Sequence, residues 1–109
     1  FHAEATAEKI AMGYYLDGRI TAMFGTHTHV QTADEEVTEK GTAYITDLGM
    51  TGPKNSVIGM DAEASLKRFI TSLPERYKLA TGECILCGVI VDINDECCRT
   101  ESIRRIYMK

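Results

Sequence analysis

The chain contains, from residue 25 onwards, the segment Gly25-Thr26-His27-Thr28-His29-Val30-Gln31-Thr32-Ala33. It follows the largely apolar residues 20–24, which predict a buried strand. A His-x-His pair at the carboxyl end of a strand occupies the position where α/β folds usually place their ligands. In an extended backbone His27 and His29 would point to the same side, towards one metal ion or two neighbouring ions. Because neutral imidazole is the commonest protein ligand for transition metals, the segment predicts a metal site for hydrolysis.

His2, near the first residue, is the third and last histidine of the chain. It can join the other two only if the fold brings the two segments together. A catalytic zinc ion usually has three protein ligands and a two-metal site needs more, so three imidazoles predict an incomplete site. Asp34 and Asp47 are the acidic candidates. We interpret both as solvated loop carboxylates, because the spacing of neither requires a ligand role.

The length and the charge of the chain limit the number of domains and exclude some classes of protein. A chain of 109 residues can build one domain with a modest core. The net charge is −4 and the basic residues are scattered, so the sequence has no cluster of Lys and Arg that would bind the backbone of a nucleic acid. No apolar run reaches the length of about 18 residues that suggests a membrane span, and no signal peptide is visible. These features predict a cytoplasmic protein.

Four cysteines suggest a zinc site, but their spacing is unfavourable. Cys84 and Cys87 lie three apart on a predicted strand and would face opposite sides of a sheet. Cys97 and Cys98 are adjacent, which makes joint chelation difficult. We therefore interpret all four as free thiols, either buried or in a hairpin, in a reducing compartment.

The hydrophobic pattern predicts an α/β domain that ends in an antiparallel meander. Helices are predicted over residues 6–16 and 62–73, with Thr6 and Asp61 as N-caps. Strands are predicted over residues 20–24, 41–46, 77–79, 85–93 and 103–108. Residues 35–40 and 47–53 are predicted to be loops. The second helix is predicted to bury one stripe, made of Leu66, Phe69, Ile70 and Leu73.

Three segments together carry a family resemblance: Phe1-His2-Ala3-Glu4-Ala5-Thr6, Gly25-Thr26-His27-Thr28-His29-Val30-Gln31-Thr32-Ala33-Asp34 and Tyr44-Ile45-Thr46-Asp47-Leu48-Gly49-Met50-Thr51-Gly52-Pro53. In this order they resemble the YmdB-like bacterial metallophosphoesterases. The resemblance runs from the first residue to about Pro74 and continues more loosely through the final strands. The histidine segment is also similar to the Gly-His-x-His signature of the wider calcineurin-like superfamily, although here Thr26 separates Gly25 from His27.

The resemblance implies an αββα sandwich of mixed sheets with flanking helices. Residues 1–109 would form the C-terminal portion of this single domain, with its N-terminal motifs missing. The implied site holds two divalent metal ions, iron or manganese, and hydrolyses phosphodiesters such as 2′,3′-cyclic nucleotides. By motif position His2 and His27 would ligate one metal ion and His29 the other. The family's leaving-group histidine would lie upstream of His2, so we expect no catalytic residue in this chain and no activity from it alone.

Other interpretations remain open at this point. The chain could be a non-catalytic binding or oligomerisation module, a zinc module built on its cysteines, or part of a phosphomonoesterase. The expected partner is a small phosphodiester substrate. Half of a two-sheet sandwich also leaves a sheet edge unpaired, so we expect a homo-oligomer or pairing with the missing N-terminal half.

Overall fold

Two helices and six strands make up the fold of the computed structural model, which describes all 109 residues. In chain order they are α1 (Thr6–Leu16), β1 (Ala22–Phe24), β2 (Glu36–Val37), β3 (Ala43–Ile45), β4 (Gly52–Pro53), α2 (Ala62–Thr71), β5 (Cys84–Ile93) and β6 (Thr100–Met108). The prediction of a mixed α/β fold is confirmed. Neither helix has the length and apolar composition needed to cross a bilayer.

The first sheet has the strand order β1-β3-β2, with β1 parallel and β2 antiparallel to β3. The central strand β3 is buried at all three of its residues. Met23 of β1 adds to this core, while Phe24 remains 45% exposed. Since β1 and β3 are parallel, their carboxyl ends lie at the same edge, and the histidine segment and Asp47 both leave the sheet there.

The second sheet has the order β4-β5-β6 and is antiparallel throughout. The long strands β5 and β6 form a hairpin whose turn is held by Asn94, because its side-chain oxygen accepts hydrogen bonds from the backbone N–H groups of Glu96 and Cys97. The predicted antiparallel ending of the chain is thus confirmed. In this hairpin Cys87 lies opposite Tyr107 and Val89 lies opposite Arg105.

Several element boundaries differ from the predictions. The strands predicted over 20–24 and 41–46 are shorter, and the loops predicted over 35–40 and 47–53 contain the two-residue strands β2 and β4. The strand predicted over 77–79 was wrong, since only an isolated bridge between Met60 and Leu79 forms there. These short pairings depend on which strand lies alongside, which local sequence does not encode.

Helix α1 begins without the predicted cap. Ala5 is the N-cap and makes no side-chain hydrogen bond, whereas Thr6 is already helical. The buried residues of this helix are Lys9 and Gly13. The helix ends as predicted, at Asp17, with Gly18 following in the left-handed region (φ 75°).

Helix α2 is capped as predicted, because Asp61 Oδ1 accepts a hydrogen bond of 3.0 Å from the N–H of Ala64. It ends at Thr71, with Ser72 in the left-handed conformation before Pro74. The predicted burial of its apolar stripe was wrong, because no residue of α2 is buried. The exposed fractions are 58% for Leu66, 78% for Phe69, 79% for Ile70 and 63% for Leu73. The stripe exists as a pattern, but no surface of this chain covers it.

All four cysteines are free. Cys87 is half-buried and the other three are exposed, so the alternative of a buried thiol fails for Cys84. Cys97 and Cys98 lie in the β5–β6 turn, as the hairpin interpretation predicted. No group of three His, Cys, Asp or Glu side chains is placed to hold a metal ion within this chain.

Candidate functional site

His2 and His27 meet in space. The first two residues run alongside the end of β1, where His2 forms a parallel bridge with Thr26 and the N–H of Thr26 donates to the carbonyl of Phe1 (3.2 Å). This pairing places His2 Nε2 3.1 Å from His27 Nδ1, with the ring centroids 5.0 Å apart and the rings nearly perpendicular. The condition that the sequence left open, whether His2 reaches the histidine segment, is therefore met for His27.

The His2 ring is oriented by its other nitrogen. Its Nδ1 is hydrogen-bonded to Thr26 Oγ1 at 3.0 Å, which turns Nε2 towards His27. Metal-ligating histidines are commonly fixed in this way by a partner on the second ring nitrogen. A metal–nitrogen bond is about 2.0–2.1 Å long, so two nitrogens separated by 3.1 Å can bind the same ion. The pair of imidazoles therefore fits a metal ion.

His29 is oriented independently. Its Nδ1 lies 2.9 Å from the carbonyl oxygen of Ile58, and because a carbonyl can only accept, Nδ1 carries the proton. In the neutral ring with this tautomer the Nε2 atom keeps its lone pair, as a metal ligand requires. No third His, Cys, Asp or Glu joins His2 and His27 in a cluster able to hold an ion. This chain thus offers one histidine pair and one separately oriented histidine.

The backbone between the two histidines is not extended. His27 has a φ of 135° and His29 a φ of 64°, both in the region that favours glycine. The prediction that alternation along a strand places both rings on the same side was therefore wrong in its geometry. Such backbone conformations cost on the order of 1–3 kcal/mol each and persist only where the surroundings enforce them.

Asp47 enforces this turn from within the core. Its Oδ2 accepts a hydrogen bond of 2.9 Å from the N–H of Thr28, the residue between the two histidines, and also lies 3.1 Å from Lys9 Nζ. Its Oδ1 accepts a further bond from the N–H of Gly49. The side chains of Asp47 and Lys9 are 0% and 1% exposed. The interpretation of Asp47 as a solvated carboxylate was wrong, because it is a buried anchor of the histidine segment.

Burial by itself would raise the pKa of Asp47. The hydrogen bonds from Thr28, Gly49 and Lys9 outweigh it, so that the pKa lies below its ordinary value and the group stays ionised. Asp34, by contrast, is exposed as predicted. It nevertheless accepts hydrogen bonds from the hydroxyl and the N–H of Thr46, and these, with a bond from Thr32, outweigh burial and lower its pKa as well.

Gly25 allows the close approach that forms the base of the site. Its N–H donates to the carbonyl of Ile45 (3.0 Å) and its own carbonyl accepts from Leu48 (2.9 Å). A Cβ at this position would lie 1.9 Å from the carbonyl oxygen of Thr46 and 2.9 Å from the Lys9 side chain. The chain can leave β1 at this point only because Gly25 has no side chain, since the backbone after β3 passes directly against it.

Gln31 connects the histidine segment to the second sheet. Its side-chain amide nitrogen lies within hydrogen-bond distance of three backbone carbonyls, at 3.3 Å from Leu48, 3.0 Å from Gly88 and 3.1 Å from Ile106. Because the amide has two N–H groups, one of them is shared between two of these carbonyls. The β5–β6 hairpin is thereby held against the segment. Neither Gln31 nor Lys9 was identified from sequence. Nothing in the local pattern marks Lys9, and the glutamine beside the two histidines was the only available signal for Gln31.

Comparison with known proteins gives a consistent result. The sequence profile of the family described as YmdB-like protein matches residues 1–106. The chain belongs to the YmdB-like protein family. A relative from Bacillus subtilis (strain 168), named 2′,3′-cyclic-nucleotide 2′-phosphodiesterase, is 57% identical over 108 residues, which cover 99% of this chain and 41% of the relative.

Two solved structures share the YmdB-like fold seen here. The crystal structure of a hypothetical protein from Thermus thermophilus superposes with a TM-score of 0.90 at 42% identity, covering 97% of this chain and 41% of that one. The crystal structure of a novel phosphatase from Mycoplasma pneumoniae gives a TM-score of 0.94 at 40% identity, with 99% and 39% covered. This YmdB-like chain therefore spans about two fifths of the length of the relatives it matches.

Proposed function

We propose that this chain supplies three histidine ligands to a dinuclear metal site that hydrolyses 2′,3′-cyclic nucleotides. The observation that carries the proposal is the 3.1 Å approach of His2 Nε2 to His27 Nδ1, two residues far apart in sequence that the fold pairs at the carboxyl end of β1. The name of the B. subtilis relative supports the reaction and the substrate class. The further ligands and the leaving-group acid come from protein outside these residues.

Each part of the chain has a defined task in this proposal. His2 and His27 hold one ion, and His29 holds the other. Thr26 and the Ile58 carbonyl fix the rings of His2 and His29. Two metal ions bound there would supply an activated water and neutralise charge on the phosphoryl group. Iron and manganese are the ions that we propose.

Metal analysis and turnover test the proposal in the complete gene product carrying this chain. His29→Ala and His27→Ala should each lower the bound iron or manganese and the hydrolysis of 2′,3′-cyclic nucleotides together. Removal of a Lewis-acid metal costs several kcal/mol of transition-state stabilisation, so we expect a loss of at least about a hundredfold in kcat. Asn55→Ala, at an exposed loop residue, is the control and should change neither quantity.

Unchanged metal content in both histidine variants would contradict the assigned ligand roles. A phosphomonoester such as p-nitrophenyl phosphate, assayed in parallel, distinguishes a phosphomonoesterase from the diesterase that we propose. The isolated 109-residue chain should show background hydrolysis with added manganese, since three imidazoles without bridging carboxylates do not complete two metal sites.

We also propose that protein outside this chain covers the apolar side chains of α2, either a second copy or the remainder of the same domain. Four large apolar side chains there are more than half exposed, and contiguous apolar patches usually mark contact surfaces. Light scattering distinguishes the two possibilities: a dimeric complete gene product indicates a second copy, whereas a monomeric gene product with an associating isolated chain indicates the remainder of the same domain. The free state of all four thiols supports a reducing, cytoplasmic location.

A further inference from the structure

A cleft of about 370 Å³ opens directly beside His29. Its volume falls within the range of about 300–1,000 Å³ that is typical of small-molecule sites. One wall is the histidine segment and the other is one face of the β5–β6 hairpin. The residues lining it are His29, Val30, Gln31, Ile85, Cys87, Arg105 and Tyr107.

Two hairpin residues give this cleft its chemistry. Tyr107 is 53% exposed, so one part of its ring is free to contact a ligand. Arg105 lies two residues earlier on β6, on the same face of the strand. Its Nε is held by Glu35 Oε1 at 2.8 Å, whereas its two terminal nitrogens have no hydrogen-bond partner within the chain. The arginine is therefore fixed in place with four N–H donors still available.

Another cleft of the chain is larger but is chemically unsuitable for an anionic ligand. It has a volume of about 770 Å³ and lies between α1 and the segment after the histidines. Its charged lining consists of Asp17, Asp34, Glu35, Glu36, Glu39 and Lys40. Five carboxylates against one lysine repel any anionic substrate, whereas Arg105 is the one charged residue that lines the cleft beside His29.

The cleft beside His29 is also rigidly built. Gln31, which lines it, is bonded to the carbonyls of Gly88 and Ile106, one on each strand of the hairpin. Gly49 packs behind it, where an added Cβ would lie 2.9 Å from the Gln31 backbone nitrogen and 3.1 Å from the Cys87 Cβ. Tyr107 and Arg105 are thus held at a constant position relative to His29, as a specificity site requires.

We infer that this cleft is the nucleoside subsite of the enzyme: Tyr107 stacks on the base of a 2′,3′-cyclic nucleotide and the terminal nitrogens of Arg105 donate to acceptors on the edge of that base, while the phosphate lies at the histidines. This rests on the proposed function for the position of the phosphate. Aromatic stacking accepts any base, whereas the arginine favours bases that present paired acceptors, guanine first.

Kinetics with and without the base tests the inference in the complete gene product. The probes are guanosine 2′,3′-cyclic phosphate and methyl riboside 2,3-cyclic phosphate, which lacks only the base. Tyr107→Leu should raise KM for the nucleotide by about five- to 150-fold, the range expected for loss of one stacked base. It should leave both kinetic parameters for the methyl riboside within about twofold of the unmodified protein. Arg105→Gln should raise KM for the guanosine substrate in the same selective way.

Two matched substitutions control for general effects. Arg104→Gln changes the neighbouring arginine on the opposite face of β6, and Tyr77→Leu changes a 76% exposed tyrosine away from the cleft. Both should leave the two substrates unaffected. Equal losses on nucleotide and methyl riboside in Tyr107→Leu, or no loss on either, would overturn the subsite.

Equilibrium dialysis separates this inference from the proposed function. Guanosine 3′-monophosphate should bind more tightly than methyl riboside phosphate, and Tyr107→Leu should abolish the difference. This result would support the subsite even in a protein that hydrolyses neither cyclic ester. Equal affinity for the two phosphates would overturn it, whether or not the enzyme is active.

Discussion

Lys9 Nζ lies 3.1 Å from Asp47 Oδ2 in the buried interior, where the two side chains are 1% and 0% exposed. The pair joins the first turn of α1 to Asp47, two residues beyond the end of β3, and the same aspartate oxygen accepts a hydrogen bond from the N–H of Thr28. One buried ion pair therefore connects the helix, the sheet and the segment that carries His27 and His29.

Loss of the lysine should destabilise the protein strongly. Lys9→Met leaves the Asp47 carboxylate buried without its cation, which typically costs about 3–5 kcal/mol. Urea denaturation of the complete gene product measures the change. Lys67→Met is the control: Lys67 pairs with Glu75 at the surface, where an ion pair contributes only about 0–1 kcal/mol. If Lys9→Met and Lys67→Met unfolded at the same urea concentration, the buried pair would contribute little to the free energy of unfolding.

A methyl group at Gly25 should disrupt the junction between the histidine segment and β3. Gly25→Ala places a Cβ 1.9 Å from the Thr46 carbonyl oxygen, so the backbone must shift, and we expect a loss of at least about 1–3 kcal/mol. Gly88→Ala in β5 is the matched control, because nothing lies within 4 Å of the added carbon. Thermal unfolding of both variants checks this. If both melted at the temperature of the unmodified protein, the close approach would be unimportant.

Stability should fall in acid partly through Asp34. Burial raises its pKa, but the hydrogen bonds from Thr32 and Thr46 outweigh burial and lower it. The stabilisation is present above the unfolded-state pKa of about 3.9 and is lost as the pH falls through the lower folded-state pKa. Asp34→Asn should therefore make the free energy of unfolding depend less on pH below about pH 4, as followed by urea titrations from about pH 5 to about pH 2.

Asp95→Asn is the control for that titration, since Asp95 is an exposed turn residue whose side chain makes no hydrogen bond in the structure. It should retain the pH dependence of the unmodified protein. An identical slope in Asp34→Asn would mean that the Thr46 contacts do not stabilise the ionised form.

Removal of the Gln31 amide should loosen the hairpin. Gln31→Leu removes the amide group that donates to the carbonyls of Leu48, Gly88 and Ile106. Each lost hydrogen bond typically lowers the free energy of unfolding by about 1 kcal/mol. Hydrogen exchange should become faster in β5 and β6 but not in β3. Gln31→Glu also lacks the amide N–H group and should behave similarly. Unchanged protection of the hairpin in both variants would exclude Gln31 as its connection to the histidine segment.

Local pattern was sufficient for much of the architecture. The helix over 6–16, the Asp61 cap and the antiparallel pair at the end of the chain were predicted because each depends on neighbours in sequence: turn residues, caps and apolar periodicity. The family, too, was recognisable from three ordered motifs. The apolar stripe of α2 was detected correctly as a pattern, yet its burial was not, because burial needs a second surface.

The arrangement of the site depended on tertiary structure. The motif identified His27 and His29 as candidates, but only the parallel bridge between residues 2 and 26 brings His2 to His27. Lys9 and Asp47 are ordinary charged residues in the sequence, and they become a buried pair because α1 packs over the end of β3. Residue types and local periodicity determine which groups can do chemistry. Distances between atoms remote along the chain arise only when strands pair and side chains are excluded from water, so the fold alone determines which of these groups meet.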